Sequence, residues 1–133
     1  MSGEITFGAF AREKRLQLEP YISLRKYAEL LEISPVYTSN IETGRTPAPK
    51  DDILAKMVHI LRLNKQDTET FYELAAKSKT YTAVPGDLPE YISANEYARI
   101  ALRVAKDVDA TDEEWIEFTE KLKRRGQRED KRE

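Results

Sequence analysis

The stretch SPVYTSNIETG, residues 34–44, decides how this chain is read. Ser34 is a favoured helix cap. Pro35 fits the first helical position, where its missing N–H and fixed φ cost nothing, and Gly44 supplies the left-handed residue that closes the helix. Between those stops Thr38 and Ile41 lie three apart and point inward with Tyr37 alongside, which leaves Val36, Ser39, Asn40 and Thr43 on the outer face. So small and polar a face buries little apolar area. It suits base edges in a major groove, where an Asn amide pairs bidentately with adenine and Val or Thr methyls meet thymine methyls.

Working upstream, Ser23 caps LRKYAELL, whose Leu24, Tyr27, Ala28 and Leu31 share one stripe. Only Glu32, Ile33 and the Ser34 cap separate this helix from the next, so the two are expected to cross steeply. Before them, Thr6 caps a helix over about residues 7–18 with Phe7, Phe10 and Ala11 on one face, stopped by Glu19 and Pro20. Downstream, RTPAPK must be loop. A fourth helix over about residues 50–61 turns Ile53, Leu54, Met57, Val58 and Leu61 inward, with Asp51 and Asp52 at its start; a fifth, DTETFYELAAK, turns in Phe71, Leu74 and Ala75.

The segment SLRKYAELLEISPVYTSNIETG resembles the helix-turn-helix of the Cro and phage-repressor class, also called the xenobiotic-response-element (XRE) type. Ala28 stands where that family places a small residue between its two helices, Ile33 at its apolar turn position, Ser34 at its cap, and Ile41 to Gly44 match its I-E-x-G ending. FGAFAREKRL is similar to the family's first helix. The resemblance implies that Arg15 pairs with Glu42 in a structural ion pair that fixes the first helix on the third. Three departures follow. Glu32 occupies a turn position often held by glycine, at a cost of about 1 kcal/mol if it turns left-handed. Thr38 replaces a branched apolar residue and needs its hydroxyl bonded to the preceding turn. LEPYI lengthens the first loop.

The resemblance also assigns contacts. Pro35, Val36 and Asn40 match base-reading positions, with Tyr37, Ser39 and Thr43 near the groove edge; Asn40 carries most of the discrimination, because the Pro35 side chain has no hydrogen-bonding group. Ser23, Leu24 and Arg25 at the start of the second helix, and Thr43 and Arg45 after the third, would hold the DNA backbone. Lys26 and Lys50 are weaker candidates.

The expected fold is therefore all-α: a five-helix repressor-like helix-turn-helix domain over residues 1–78, a linker or docking arm over 79–90 marked by its prolines and glycine, and a helical segment over 91–125. Residues 126–133, mixed in charge and without apolar content, are expected to fray. Thr111 and Glu114 form a capping box ahead of Trp115. Tyr97, Ile100, Val104, Trp115, Phe118 and Leu122 exceed what two short helices bury between themselves, so they dock on the first domain or, the favoured reading, pair with a second chain or partner protein.

Composition bounds the function. The chain has 133 residues, 40% hydrophobic and 35% charged, with net charge −2, which fits a small globular protein and leaves any DNA binding to a local patch. A first segment without a secretory signal, and the absence of cysteine, point to the cytoplasm; no apolar run is long enough for a membrane. His59 is the only histidine, no glycine-rich phosphate loop occurs, and the paired acids Asp51–Asp52 and Glu113–Glu114 sit at helix starts, so no catalytic residue, metal site or cofactor is expected. The expected partners are a double-stranded DNA operator and a second copy of the chain, as in a dimeric repressor. The alternative is an antitoxin whose C-terminal segment binds a toxin while its helix-turn-helix autoregulates the operon. A remoter one is a regulator cut by a partner peptidase between Val84 and Leu88.

Overall fold

A computed structural model describes residues 5–79 and 83–131, the side chains of 129–131 excepted. Those residues form eight helices and no strand, so the chain is all-α. Two compact units divide it, Met1–Glu90 and Tyr91–Glu133.

The first unit holds α1 (Phe7–Leu16), α2 (Leu24–Leu31), α3 (Pro35–Thr43), α4 (Asp51–Leu61) and α5 (Lys65–Lys77). The caps read from the sequence close their helices. Thr6 accepts from the Ala9 amide at 3.2 Å, Ser23 from Lys26 at 3.1 Å and Ser34 from Tyr37 at 3.0 Å. The contacts of α1 are with α3 and α5, and those of α2 are with α3 and α4. Their shared core centres on Tyr27, Leu31, Ile41, Met57 and Phe71, and the Phe7 and Phe71 rings lie 5.0 Å apart. One glycine sets the approach of α1 to α3: a Cβ on Gly8 would fall 2.2 Å from the Ile41 carbonyl oxygen and 2.7 Å from that of Glu42. Only glycine fits there.

Several boundaries differ from expectation. Helix α1 ends at Leu16 rather than near Leu18, because after the Gln17 amide donates to Glu13 at 3.0 Å the Leu18 amide makes a tighter three-residue bond to the Arg15 carbonyl at 3.3 Å; Leu18 nevertheless stays buried. Helix α5 starts at Lys65, two residues before DTETF, because Asn64 caps it by accepting from the Asp67 amide at 2.8 Å. Val58 and Leu74 are half-buried.

The segment expected to be a linker over 79–90 belongs largely to the first unit. Ser78 accepts from the Ala48 amide at 2.9 Å, and the Lys79 ammonium donates to the Ala48 and Pro49 carbonyls. Gly86 lies against the start of α4 and the middle of α5, where a Cβ would come 2.7 Å from an Asp51 carboxylate oxygen and 3.2 Å from the Tyr72 ring. Burial raises the Tyr72 hydroxyl pKa above its usual value, helped by Asp87 and Asp51. A short helix, α6 (Pro89–Ala94), takes the last two residues of the expected linker and opens the segment expected to be helical, with proline in its favoured first position. Residues 80–82 of the expected linker lie outside the described residues.

The second unit contains α7 (Glu96–Val108), capped by Asn95 at 3.0 Å from the Ala98 amide, and α8 (Asp112–Lys131). The Thr111–Glu114 capping box forms in both directions, at 3.2 and 3.1 Å. Helix α8 continues to Lys131, well into the stretch expected to fray from 126. Acids preceding bases by three or four residues, such as Glu117 before Lys121 and Glu120 before Lys123 (3.8 Å), favour its continuation. Residues 132 and 133 lie outside the described residues. No residue of α7 is buried, nor is any described side chain of α8. Among the described residues no helix is long and apolar enough to cross a membrane.

Candidate nucleic-acid interface

The geometry around α3 starts from its two ends. Pro35 opens the helix behind the Ser34 cap, and Gly44 at φ 83° closes it. The Arg45 and Thr46 amides then both donate to the Asn40 carbonyl, at 2.9 and 3.3 Å, which folds the following loop back onto the helix end.

Inside that frame the side chains divide by face. Thr38, Ile41 and Glu42 are buried. The Thr38 hydroxyl donates to the Ser34 carbonyl at 2.9 Å, which satisfies the polar group this core position carries. Val36 is 71% exposed, Pro35 and Thr43 are exposed, and Tyr37, Ser39 and Asn40 are half-buried. The Asn40 side-chain amide makes no hydrogen bond among the described residues. An outward face with an amide, a small hydroxyl and an isopropyl group offers donors, acceptors and methyls without steric bulk.

What holds this face still is buried. The Arg15 guanidinium donates to both carboxylate oxygens of Glu42, at 2.9 and 3.0 Å, and to the Ile22 carbonyl at 3.0 Å. Both side chains are about 5% exposed or less. The Glu42 carboxylate raises the Arg15 pKa above its usual value against the opposing effect of burial. The pair therefore ties α1, α3 and the loop entering α2 at one point. Tyr27 completes the cluster with its ring 5.9 Å from the guanidinium, and its buried hydroxyl has no hydrogen-bond partner among the described residues.

The turn between α2 and α3 has the left-handed residue that the sequence left open. Glu32 adopts φ 60°, ψ 38°, and its carboxylate reaches Lys56 on α4 at 2.8 Å. That ammonium lowers the Glu32 pKa.

The residues assigned to phosphate contact differ in what they can offer. Ser23, Arg25, Arg45 and Lys50 are exposed; Leu24 is half-buried, so its contribution would be the backbone N–H. The Ser23 oxygen caps α2 as an acceptor, which leaves its proton for donation outward. Thr43 is the opposite case, since its hydroxyl donates to the Ser39 carbonyl at 3.0 Å and would have to break that bond to serve a phosphate. Lys26 lies 3.8 Å from Glu29, an exposed and weak pair.

A cleft of about 740 Å³ beside the start of α1, lined by residues that include Phe7, Ile41, Arg45 and Lys77, has no carboxylate, histidine or thiol in its wall. Among the described residues no cluster of metal-ligating side chains occurs, and His59 stands exposed on α4. The sequence reading missed Gly8, although a glycine inside an apolar helical pattern signals close packing. No family model, characterised protein or solved structure shows significant similarity to this chain.

Proposed function

We propose that the chain is a sequence-specific double-stranded DNA-binding transcriptional regulator, a repressor that acts as a dimer, with α2 and α3 as its helix-turn-helix and α3 as the recognition helix. One observation carries this reading: α3 is anchored from behind by a buried bidentate ion pair while its outer face, Pro35, Val36, Ser39 and Asn40, projects small groups outward. A rigid helix with such a face meets the requirements for reading a major groove. Asn40 is the principal base reader and Val36 the apolar contact. Ser23, Arg25 and Arg45 position the backbone, with the amides at the start of α2.

Selection of bound duplexes from a random pool tests this. The expected outcome is enrichment of one site whose two halves are related by a two-fold, about one helical turn apart. A pool that stays random after several rounds overturns the reading.

The antitoxin alternative draws on a separate observation, the uncovered apolar side chains of α7 and α8, which a toxin could also cover. A stable one-to-one complex with the product of an adjacent gene would favour it.

A further inference from the structure

The second unit leaves ten large apolar side chains exposed, from Tyr91 to Leu122, and its helices bury nothing among their described residues. Most of the stability of a helix in a protein comes from packing its apolar face. The charge pattern of α8 indicates what covers that face. From Asp112 to Glu120 the helix carries five acids and no base; from Lys121 to Arg128 it carries five bases and no acid. The helix macrodipole accounts for Asp112, Glu113 and Glu114 in the first turn but not for Glu117, Glu120 or the run of bases, because its influence fades within a turn of each end. Lys121, Lys123 and Arg124 lie mid-helix. Trp115, Phe118 and Leu122, spaced three and four apart, form a seam that straddles the change of sign.

We propose that α8 pairs with α8 of a second copy, antiparallel about a two-fold near Phe118. In that arrangement each acidic half lies along the basic half of the other chain and the Trp115–Phe118–Leu122 seams face one another. A parallel pairing sets acid on acid and base on base. A wholly acidic or wholly basic partner matches one half and repels the other. A second copy reversed end for end satisfies both halves at once, and a two-fold makes the two contacts identical. The α7 face, with Tyr97, Ile100 and Val104 all exposed, lies within the same unit and extends the surface available to the partner.

The inference rests on the dimeric part of the proposed function and not on DNA contact. The chain has no cysteine, so Gln127→Cys at an exposed position of α8 provides a single site for a spin label. At 1.5 Å rise per residue, two labels about nine residues either side of the two-fold lie roughly 25–30 Å apart, against about 10–15 Å for a parallel pair. The expected result is a dimer in sedimentation at tens of micromolar, with a label distance in the longer range. Self-association should also weaken at least tenfold in Trp115→Ala, and weaken as salt is raised. A monomeric mass, a distance in the shorter range, or self-association unchanged in Trp115→Ala overturns the pairing. Neither readout involves DNA, so failure here leaves the DNA-binding reading to its own test.

Discussion

Removing the carboxylate of Glu42 should unfold the first unit at temperatures where the wild type is stable. Glu42 accepts two of the hydrogen bonds that Arg15 makes, and without it the guanidinium keeps neutral neighbours such as the Ile22 carbonyl and no counter-charge, in a site about 5% exposed. Stripping one partner from a buried pair typically costs about 3–5 kcal/mol, since the remaining charge keeps its desolvation penalty without compensation. Domains of this size have about 5–15 kcal/mol of stability in total, and each kcal/mol moves Tm by about 4–8 °C. Glu42→Ala should therefore lower Tm by roughly 12 °C at the least, read by circular dichroism with urea titration as the companion measurement. The double variant Arg15→Met/Glu42→Leu replaces the pair with apolar groups of similar length and should fall much closer to wild type. A Glu42→Ala protein within about 1 kcal/mol of wild type would refute the claim that this buried charge is what costs so much. So would a double variant as unstable as the single one.

Three further outcomes follow from the same unit. Tyr27→Phe removes a buried hydroxyl without a partner and should be neutral or stabilising, by up to about 1–3 kcal/mol in urea titration. Burial raises the folded-state pKa of Tyr27 above its ordinary value near 10, so its contribution is fully present below pH 10 and is lost as pH climbs above it; Tyr27→Phe should flatten that part of the alkaline stability profile. Gly8→Ala drives a methyl into the backbone carbonyls of Ile41 and Glu42 and should cost at least about 1–3 kcal/mol, whereas a stability within 0.5 kcal/mol of wild type, roughly the noise of a surface change, would mean that α1 is free to move away. Glu32→Gly relieves a left-handed backbone at about 1 kcal/mol while losing only a solvent-screened pair with Lys56, so the midpoint should stay level or rise.

How much of this was legible depended on whether the deciding interaction was local. The ends of α3 were, because Ser34, Pro35 and Gly44 each act on their own backbone, and so was the capping box that starts α8. The left-handed turn at Glu32 was visible as one of two outcomes; Lys56, which supports its carboxylate, is on another helix. The pairing of Arg15 with Glu42 entered through a resemblance and not through spacing, since 27 residues separate them. Gly8 was legible only as an oddity in an apolar pattern, because the carbonyls that exclude a Cβ belong to α3. The 83–90 segment shows the same limit. Its prolines and glycine mark irregular chain, linker or docking arm, and the choice between the two is made by Asp51 and Tyr72, far away in sequence. The extension of α8 past 126 is the reverse case: a stretch without apolar residues gives no periodic signal, yet it continues a helix already begun at Asp112.

The central claim is that the outer face of α3 reads bases, and Asn40 is the residue on which it turns. With the preferred duplex from the selection in hand, binding of wild type and Asn40→Ala should be compared on that duplex and on a random one at a fixed salt concentration. The account predicts a loss of about 1–3 kcal/mol per half-site on the preferred duplex, roughly 5- to 150-fold, with little change on the random one. Arg45→Ala should weaken both and lower the slope of log affinity against log salt. Equal losses on the two duplexes for Asn40→Ala would contradict the claim.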